Sequence, residues 1–328
     1  MSSTGGSNPL PRLSELLRRE AAGLQSGAAA LAFSGGADSL ALALLLRDAG
    51  FTGFPGGDRG QPQLLLFNVE HNLRGKDTAE REGGRVDEIA GNLGFPLLRS
   101  DLGGETVRRE AERLNLGIEA AARRLRYDAL AELCDTHGVV VLYTAHHRED
   151  QLETLLLKLL QGAPVTSLGG IRDERYLELP SGRRAPLRRP LLGCSKEDLL
   201  IRVRESGIPP VEDESNQDLS YERNYIRHKV VPAINSAVRN GDKGLMTSAS
   251  RLGQVASDVR RRAERLRFRK SSDALVVEAR EFFGQPAYVR SAALEKEAHE
   301  RGVSFPGRST AFLAPLLREE VDRRWLLR

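Results

Sequence analysis

The chain has 328 residues, 40% of them hydrophobic and 29% charged, which suits a globular protein with one large domain and a smaller one and excludes extensive disorder. A net charge of +4 and a pI near 9.2 are compatible with polyanion binding without establishing it. Cys134 and Cys194 are the only cysteines, so a disulfide framework and a Cys-x-x-Cys metal site are both excluded; no apolar run approaches the ~20 residues of a membrane span, MSSTGGSNPLPRLSEL lacks the pattern of a secretory signal, and a cytoplasmic location is expected.

In chain order, residues 10–24 read as an amphipathic helix and 28–33 as an apolar strand, which stops at Ser34-Gly35-Gly36 before a second helix opens at Ala37-Asp38-Ser39. QLLLFNVEH (63–71) is a strand, 77–94 a helix, 96–102 a short strand, 117–138 a long helix, VVVLYTA (139–145) a strand and 149–162 a helix. Short apolar strands alternating with amphipathic helices predict right-handed βαβ units and a doubly wound parallel sheet, an α/β fold. Residues 162–193, rich in Gly, Pro and Arg, read as a long functional loop; helices follow at 195–207 and 221–235, and the rest is a smaller mixed α/β part. The boundary is expected near residue 230.

Ligands of such sheets bind beyond the carboxyl ends of the strands, where SGGADS, EHNLRG and AHHRED all fall. Paired glycines before a helix N-terminus suit an anion, because they allow close backbone approach and the helix offers free N–H groups and its positive dipole end. A tight βα connection with Asp38 or Ser39 as a cap is the plainer alternative. The spacing is neither that of a Walker A loop nor of Gly-x-Gly-x-x-Gly; the string matches Ser-Gly-Gly-x-Asp-Ser, which resembles the pyrophosphate loop, or PP-loop, of N-type ATP pyrophosphatases.

In AHHREDQLET, helical spacing puts His146, Asp150 and Glu153 on one face, a set that can hold Mg²⁺, bind an amine or move a proton, or merely complement the helix dipole. Arg123 and Arg126 in EAAARRLRY are three apart, so one of them meets phosphate or developing negative charge, or both are solvated. Two basic runs stand out. Residues 181–204 carry seven Arg/Lys against two acids and residues 251–270 eight against two, which favours nucleic acid over two solvated faces.

Taken in order, SGGADS, EHNLRG, EAAARRLRY, TAHHREDQLETLLLKLLQG, RPLL and EDESNQDLSYERNYIRHKVVP resemble the tRNA(Ile)-lysidine synthase family over about residues 25–235. The resemblance implies an adenine nucleotide alpha hydrolase-like fold, with residues 1–230 catalytic and 231–328 a C-terminal tRNA-binding domain, and the chain looks like the family's short form. It implies ligation of L-lysine to C2 of the wobble cytidine, position 34, of CAU-anticodon tRNA(Ile), through an adenylated tRNA and with release of pyrophosphate and AMP. Codon reading would change from AUG to AUA.

The residues take their implied roles from the same resemblance. Ser34, Gly35, Gly36, Ala37, Asp38 and Ser39 would cradle ATP, with Asp38 on Mg²⁺ or the nucleotide. His146, Asp150 and Glu153 would position and deprotonate the lysine amine, and Arg123 or Arg126 would stabilise charge on the adenylate. His71, Arg74, Arg223, Asn224 and Arg227 would bind substrate; no membrane is implied, and a homodimer is allowed. Asn72 stands where the family usually has Gly. Rival readings are a tRNA thiolase, against which two isolated cysteines speak, an amidotransferase-type enzyme needing an ammonia source, and a non-catalytic RNA-binding module on the same fold.

Overall fold

The structure, a computed structural model, describes residues 9–24, 27–53, 61–70, 76–212, 217–271 and 274–301. Two compact units divide the chain: residues 1–150 with 172–216, and residues 151–171 with 217–328. The boundary expected near residue 230 therefore falls inside the second unit.

The first unit is built on a six-stranded sheet of order β3-β2-β1-β4-β6-β5. Its strands are β1 (Ala28–Ala32), β2 (Gln63–Glu70), β3 (Leu97–Asp101), β4 (Val139–Tyr143), β5 (Glu174–Glu178) and β6 (Arg184–Arg188). All pairings are parallel except β5 with β6. Alternate strand residues serve opposite faces. Ala29, Leu31, Leu64 and Leu66 pack with α1 (Leu10–Gly23), α2 (Ala37–Asp48), α3 (Lys76–Leu93) and α7 (Lys196–Ser206), whereas Ala28, Ala30, Leu65 and Phe67 pack with α5 (Ile118–Thr136). Burial on both faces is why these strands are apolar runs instead of alternating ones. A further short helix, α4 (Gly104–Leu114), buries Val107 and Ala111 against Ala121 and Ala122 of α5.

Part of the stretch expected to be a loop is a hairpin: β5 and β6 are joined at Ser181-Gly182, where the Gly182 N–H donates to the Leu179 carbonyl at 2.9 Å. Each strand is only five residues, and interspersed arginines hide the alternation, so the sheet edge completes what local pattern leaves ambiguous.

Helix α6 (Arg148–Leu160) starts in the first unit and continues in the second. In the second unit Leu152 and Leu156 pack with Ile226, Leu245 and Met246, and a separate cluster joins α10 (Gly241–Arg265) to α12 (Ala287–Glu300) through Val259, Ala263, Val289 and Ala293. A two-stranded ribbon, β7 (Arg269–Ser271) and β8 (Ala274–Val276), and α11 (Ala279–Phe283) complete it. The basic helix expected at 221–235 is interrupted: α8 (Glu222–Tyr225) and α9 (Val231–Ala237) flank a π-helical turn over Ile226–Val230. Pro232 has no N–H for a carbonyl one turn back, a standard reason for a helix to widen there. Among the described residues no helix is long and apolar enough to cross a membrane.

Candidate active site

The chain leaves β1 for β2 on one side and returns through β4 on the other, so the loops after β1 and β4 flank the point where strand order reverses, the usual ligand position in an open α/β sheet. After β1, Phe33 is tied to the sheet at both ends: its N–H donates to the Phe67 carbonyl at 2.8 Å and its carbonyl accepts from Nδ2 of Asn68 at 2.8 Å. Gly35 then takes φ +75°, and a Cβ there would lie 2.9 Å from Val211 Cγ2 and 3.0 Å from Val86 Cγ2. Only glycine meets both demands. Gly36 is extended and has no such crowding; it precedes α2 without a side-chain cap, leaving the first N–H groups of the helix for an anion.

Ser39 serves the loop itself. Its buried Oγ accepts from the Ser34 N–H at 3.3 Å and donates to the Gly36 carbonyl at 3.0 Å, so this hydroxyl holds the turn. The phosphate cradle expected over residues 34–39 thus consists of backbone amides on a turn braced by serine.

Asp38, one residue into α2, meets two cations. Its Oδ1 accepts from Nζ of Lys196 at 2.6 Å, and its Oδ2 lies 3.5 Å from Nε2 of His147. Lys196 is aimed by the start of α7: Ser195 and Asp198 form a reciprocal capping box, and the Lys196 N–H donates to Oε2 of Glu149 at 2.9 Å. That same Oε2 accepts from Nδ1 of His147 at 2.9 Å, so Glu149 joins the β4 loop to α7. Asp150 accepts the His147 N–H at 2.9 Å, capping α6, and its Oδ2 is 3.6 Å from Nε2 of the same ring.

These contacts set the protonation states. Burial favours the neutral imidazole of His147, but hydrogen bonds to Asp38 and Glu149 and the charges of Asp150 and Asp38 prevail and push it up to about 9. Burial would also raise Glu149, yet the hydrogen bond and charge of His147 with backbone donors hold it down to about 2. Asp38 is likewise lowered: burial opposes, while His147 and Lys196 outweigh it. At neutral pH the centre therefore holds His147 as an imidazolium between the ionised Asp38 and Glu149.

His147, Lys196 and Glu149 were not singled out by sequence pattern. Lys196 is 158 residues from its partner, and only the adjacency of β1 and β4 with α7 brings them together. Of the two neighbouring histidines, His147 is the buried one at the centre, whereas His146 is half-buried with Nδ1 hydrogen-bonded to Thr144 Oγ1 at 3.1 Å.

The remaining expected residues lie as follows. Arg123 and Arg126 are exposed on α5, with the Arg123 guanidinium 5.3 Å from the Tyr127 ring centre. His71 and Arg74 lie outside the described residues. In the second unit, Glu153 is 1% exposed and bonded to guanidinium groups: Arg223 Nε donates at 2.7 Å, Arg227 Nε at 2.6 Å and Arg227 Nη2 at 3.2 Å. The Glu153 carboxylate, expected to receive an amine, thus meets two guanidiniums through three N–H donors. Asn224 donates from Nδ2 to the Asp218 carbonyl at 2.9 Å.

Among the described residues, no group of three or more His, Cys, Asp or Glu is arranged to hold a metal ion. Mg²⁺ needs less than a full protein cage, since one or two carboxylates and substrate phosphates commonly suffice, and Asp38 beside the amide cradle meets that requirement.

The PP-loop domain family matches residues 11–234. Among curated relatives, the tRNA(Ile)-lysidine synthase of Novosphingobium aromaticivorans is 34% identical over 242 residues, covering 74% of this chain and 66% of the relative. That of Neisseria meningitidis serogroup B is 35% identical over 218 residues, covering 66% of this chain and 45% of the relative, so the matched stretch falls short of these proteins' full length. The solved U34-tRNA thiolase NcsA from Methanococcus maripaludis, with its 4Fe-4S cluster, superposes with a TM-score of 0.54 at 13% identity over 75% of this chain and 80% of that one, a likeness of fold alone. With a family match over residues 11–234, and a glycine turn between β1 and α2 at the point where strand order reverses, the chain belongs to the PP-loop domain family.

Proposed function

We propose that the protein ligates lysine to C2 of the wobble cytidine of a CAU-anticodon tRNA(Ile), consuming ATP. The observation that carries this reading is the Asp38, His147 and Lys196 cluster beside the uncapped N-terminus of α2, in a chain similar to proteins named tRNA(Ile)-lysidine synthase. The reaction has two halves. The C2 oxygen of cytidine attacks the α-phosphorus and pyrophosphate leaves; the lysine ε-amine, having lost a proton, then attacks C2 and AMP leaves. The three substrates, tRNA, ATP and lysine, support a cytoplasmic location.

Backbone N–H groups of Gly36 to Ser39 receive the phosphates, and Lys196 with protonated His147 offsets their charge as pyrophosphate departs. Asp38 orients these cations and would be the residue to hold Mg²⁺, which would supply further charge neutralisation. An imidazolium is no base, so amine deprotonation falls to His146 and Asp150. Arg123 meets charge on the adenylate, and Glu153 becomes the group that orients Arg223 and Arg227 toward RNA. The exposed Arg265, Arg267 and Lys270 support a tRNA-binding role for the second unit.

Sulfur transfer is the rival reaction on this fold. Burial pushes the Cys134 thiol up to about 12 and Cys194 up to about 11, which keeps both as unreactive core residues and favours the amine nucleophile. The test is to incubate protein, ATP, Mg²⁺, lysine and unmodified tRNA(Ile) and follow the base by mass spectrometry. Gain of lysine with loss of water is expected, and Lys196→Met should slow pyrophosphate release by ~10²-fold, the scale for one transition-state charge contact. ADP and orthophosphate as products, or an unmodified base, would overturn the reading.

A further inference from the structure

A second cationic centre lies in the sheet unit. The guanidinium of Arg175, on β5, sits 4.2 Å from the centre of the Tyr127 ring, and that of Arg123 lies 5.3 Å from the same centre. Arg189, the residue following β6, is only 5% exposed; its Nη1 donates to the Arg172 carbonyl at 2.7 Å, and its guanidinium is an electrostatic neighbour of Tyr127, Arg175 and Arg123. Nε of Arg175 and Nε of Arg189 are buried and have no hydrogen-bond partner. Among the described residues no carboxylate pairs with Arg123, Arg175 or Arg189, although Arg188 next door is matched by Glu174 at 2.7 Å.

Three guanidiniums sharing one phenol is an expensive arrangement. A buried donor left without an acceptor is destabilising, and like charges in a partly desolvated setting repel. The charges of Arg175 and Arg123 together with burial lower the basicity of Arg189, and neighbouring Arg123, Arg175 and Arg189 overcome burial to lower that of Tyr127. An anion with several oxygens would reverse each of these costs. Planar guanidinium forks match phosphate, and Arg189 stands at the carboxyl edge of the sheet, where the Arg188 carbonyl accepts the N–H of Thr144 at the start of the β4 loop.

We propose that Arg123, Arg175 and Arg189, gathered round Tyr127, form a phosphate-binding site separate from the Ser34–Ser39 cradle. The phosphate belongs to a nucleotide or to an RNA backbone. Only the RNA alternative rests on the function proposed above; binding of ATP does not.

The test compares wild type with Arg175→Met, Arg189→Met, Arg189→Lys and the Arg175→Met/Arg189→Lys pair. Affinities for Mg-ATP and for unmodified tRNA(Ile) are measured at one fixed salt concentration, and each variant's melting curve checks its fold. Arg175 is half-buried and Arg189→Lys keeps the charge while losing the fork, so these two carry the test if Arg189→Met fails to fold. A loss of at least tenfold for ATP alone assigns a nucleotide phosphate, and the same loss for tRNA alone assigns a backbone phosphate. Unchanged affinity for both ligands in folded variants overturns the site and leaves an arginine–tyrosine stack that only holds β5 to α5. If the tenfold loss is seen in a protein that makes no lysidine, this inference stands and the proposed reaction falls.

Discussion

Asp38 in the sheet unit and Glu153 in the helical unit are each bonded to two positive groups, yet they are held in different ways. The Asp38 side chain is 32% exposed, and one of its cations, His147, is divided among three carboxylates at 2.9, 3.5 and 3.6 Å. Glu153 is 2% exposed at its side chain and takes its bonds from Arg223 and Arg227 at 2.7 and 2.6 Å. In the first arrangement the imidazolium is shared among three acids, so under the proposed function an arriving phosphate would draw Lys196 and His147 toward itself while the acids redistribute. In the second the carboxylate takes three N–H bonds and ties Arg223 on α8 to Arg227 on the π-helical turn. Similar charges thus make a responsive centre in one place and a rigid joint in the other, and the difference is solvent access and the sharing of partners.

The largest effect is expected at the joint. Glu153→Ala removes the buried carboxylate that Arg223 and Arg227 share, and breaking a buried pair costs about 3–5 kcal/mol, read as a lowered denaturation midpoint. A loss under ~1 kcal/mol would mean that the joint is not buried in solution.

At the responsive centre the handle is pH. The folded value for His147 is about 9 against 6.5 for the free side chain, so its protonated form stabilises the fold fully below pH 6.5. That contribution, about 3 kcal/mol at 1.36 kcal/mol per unit, is lost as pH rises through 9. Stability measured by urea unfolding between pH 6 and 10 should fall in wild type and stay flatter in His147→Gln. Parallel curves for the two proteins would place the imidazolium elsewhere.

The smallest effect separates the basic runs. In residues 181–204, Arg183 pairs with Asp135 at 3.1 Å, Arg184 with Glu178 at 2.8 Å and Arg202 with Asp48 at 2.6 Å. In residues 251–270, Arg261 and Arg262 share Asp258, and Arg260 is tied to the Thr166 carbonyl, but Arg265, Arg267 and Lys270 are exposed. Reversing Arg265 and Arg267 should lower the log–log salt slope of tRNA binding by roughly 0.7–0.9 per contact, whereas reversing Arg183 and Arg184 should change it less. Equal slopes for both pairs of variants would return the second run to solvated surface.

Some of this was legible in the residues alone. Ala28 to Phe33 followed by Ser34-Gly35-Gly36 announces strand, turn and helix because the signal is local: an apolar run, a residue tolerant of positive φ and an amphipathic period. The β5–β6 hairpin was not legible, since five-residue strands bearing arginines gain their definition only by pairing with the edge of β4. Helical spacing also placed Glu153 with His146 and Asp150, but spacing carries no information about which side chains arrive from elsewhere, and here Arg223 and Arg227 arrive.

By itself the sequence determined the alternation of strands and helices, the glycine turn and the concentration of chemistry at the strand ends, because each depends on residues within a few positions of one another. Tertiary structure alone decided that His147 instead of His146 meets Asp38, that Lys196 crosses 158 residues to join them, and that Arg189 converges on Tyr127 with Arg175. Those outcomes are set by strand order and by charges meeting in low-dielectric surroundings, where a neighbour's position controls protonation more than the residue's own type does.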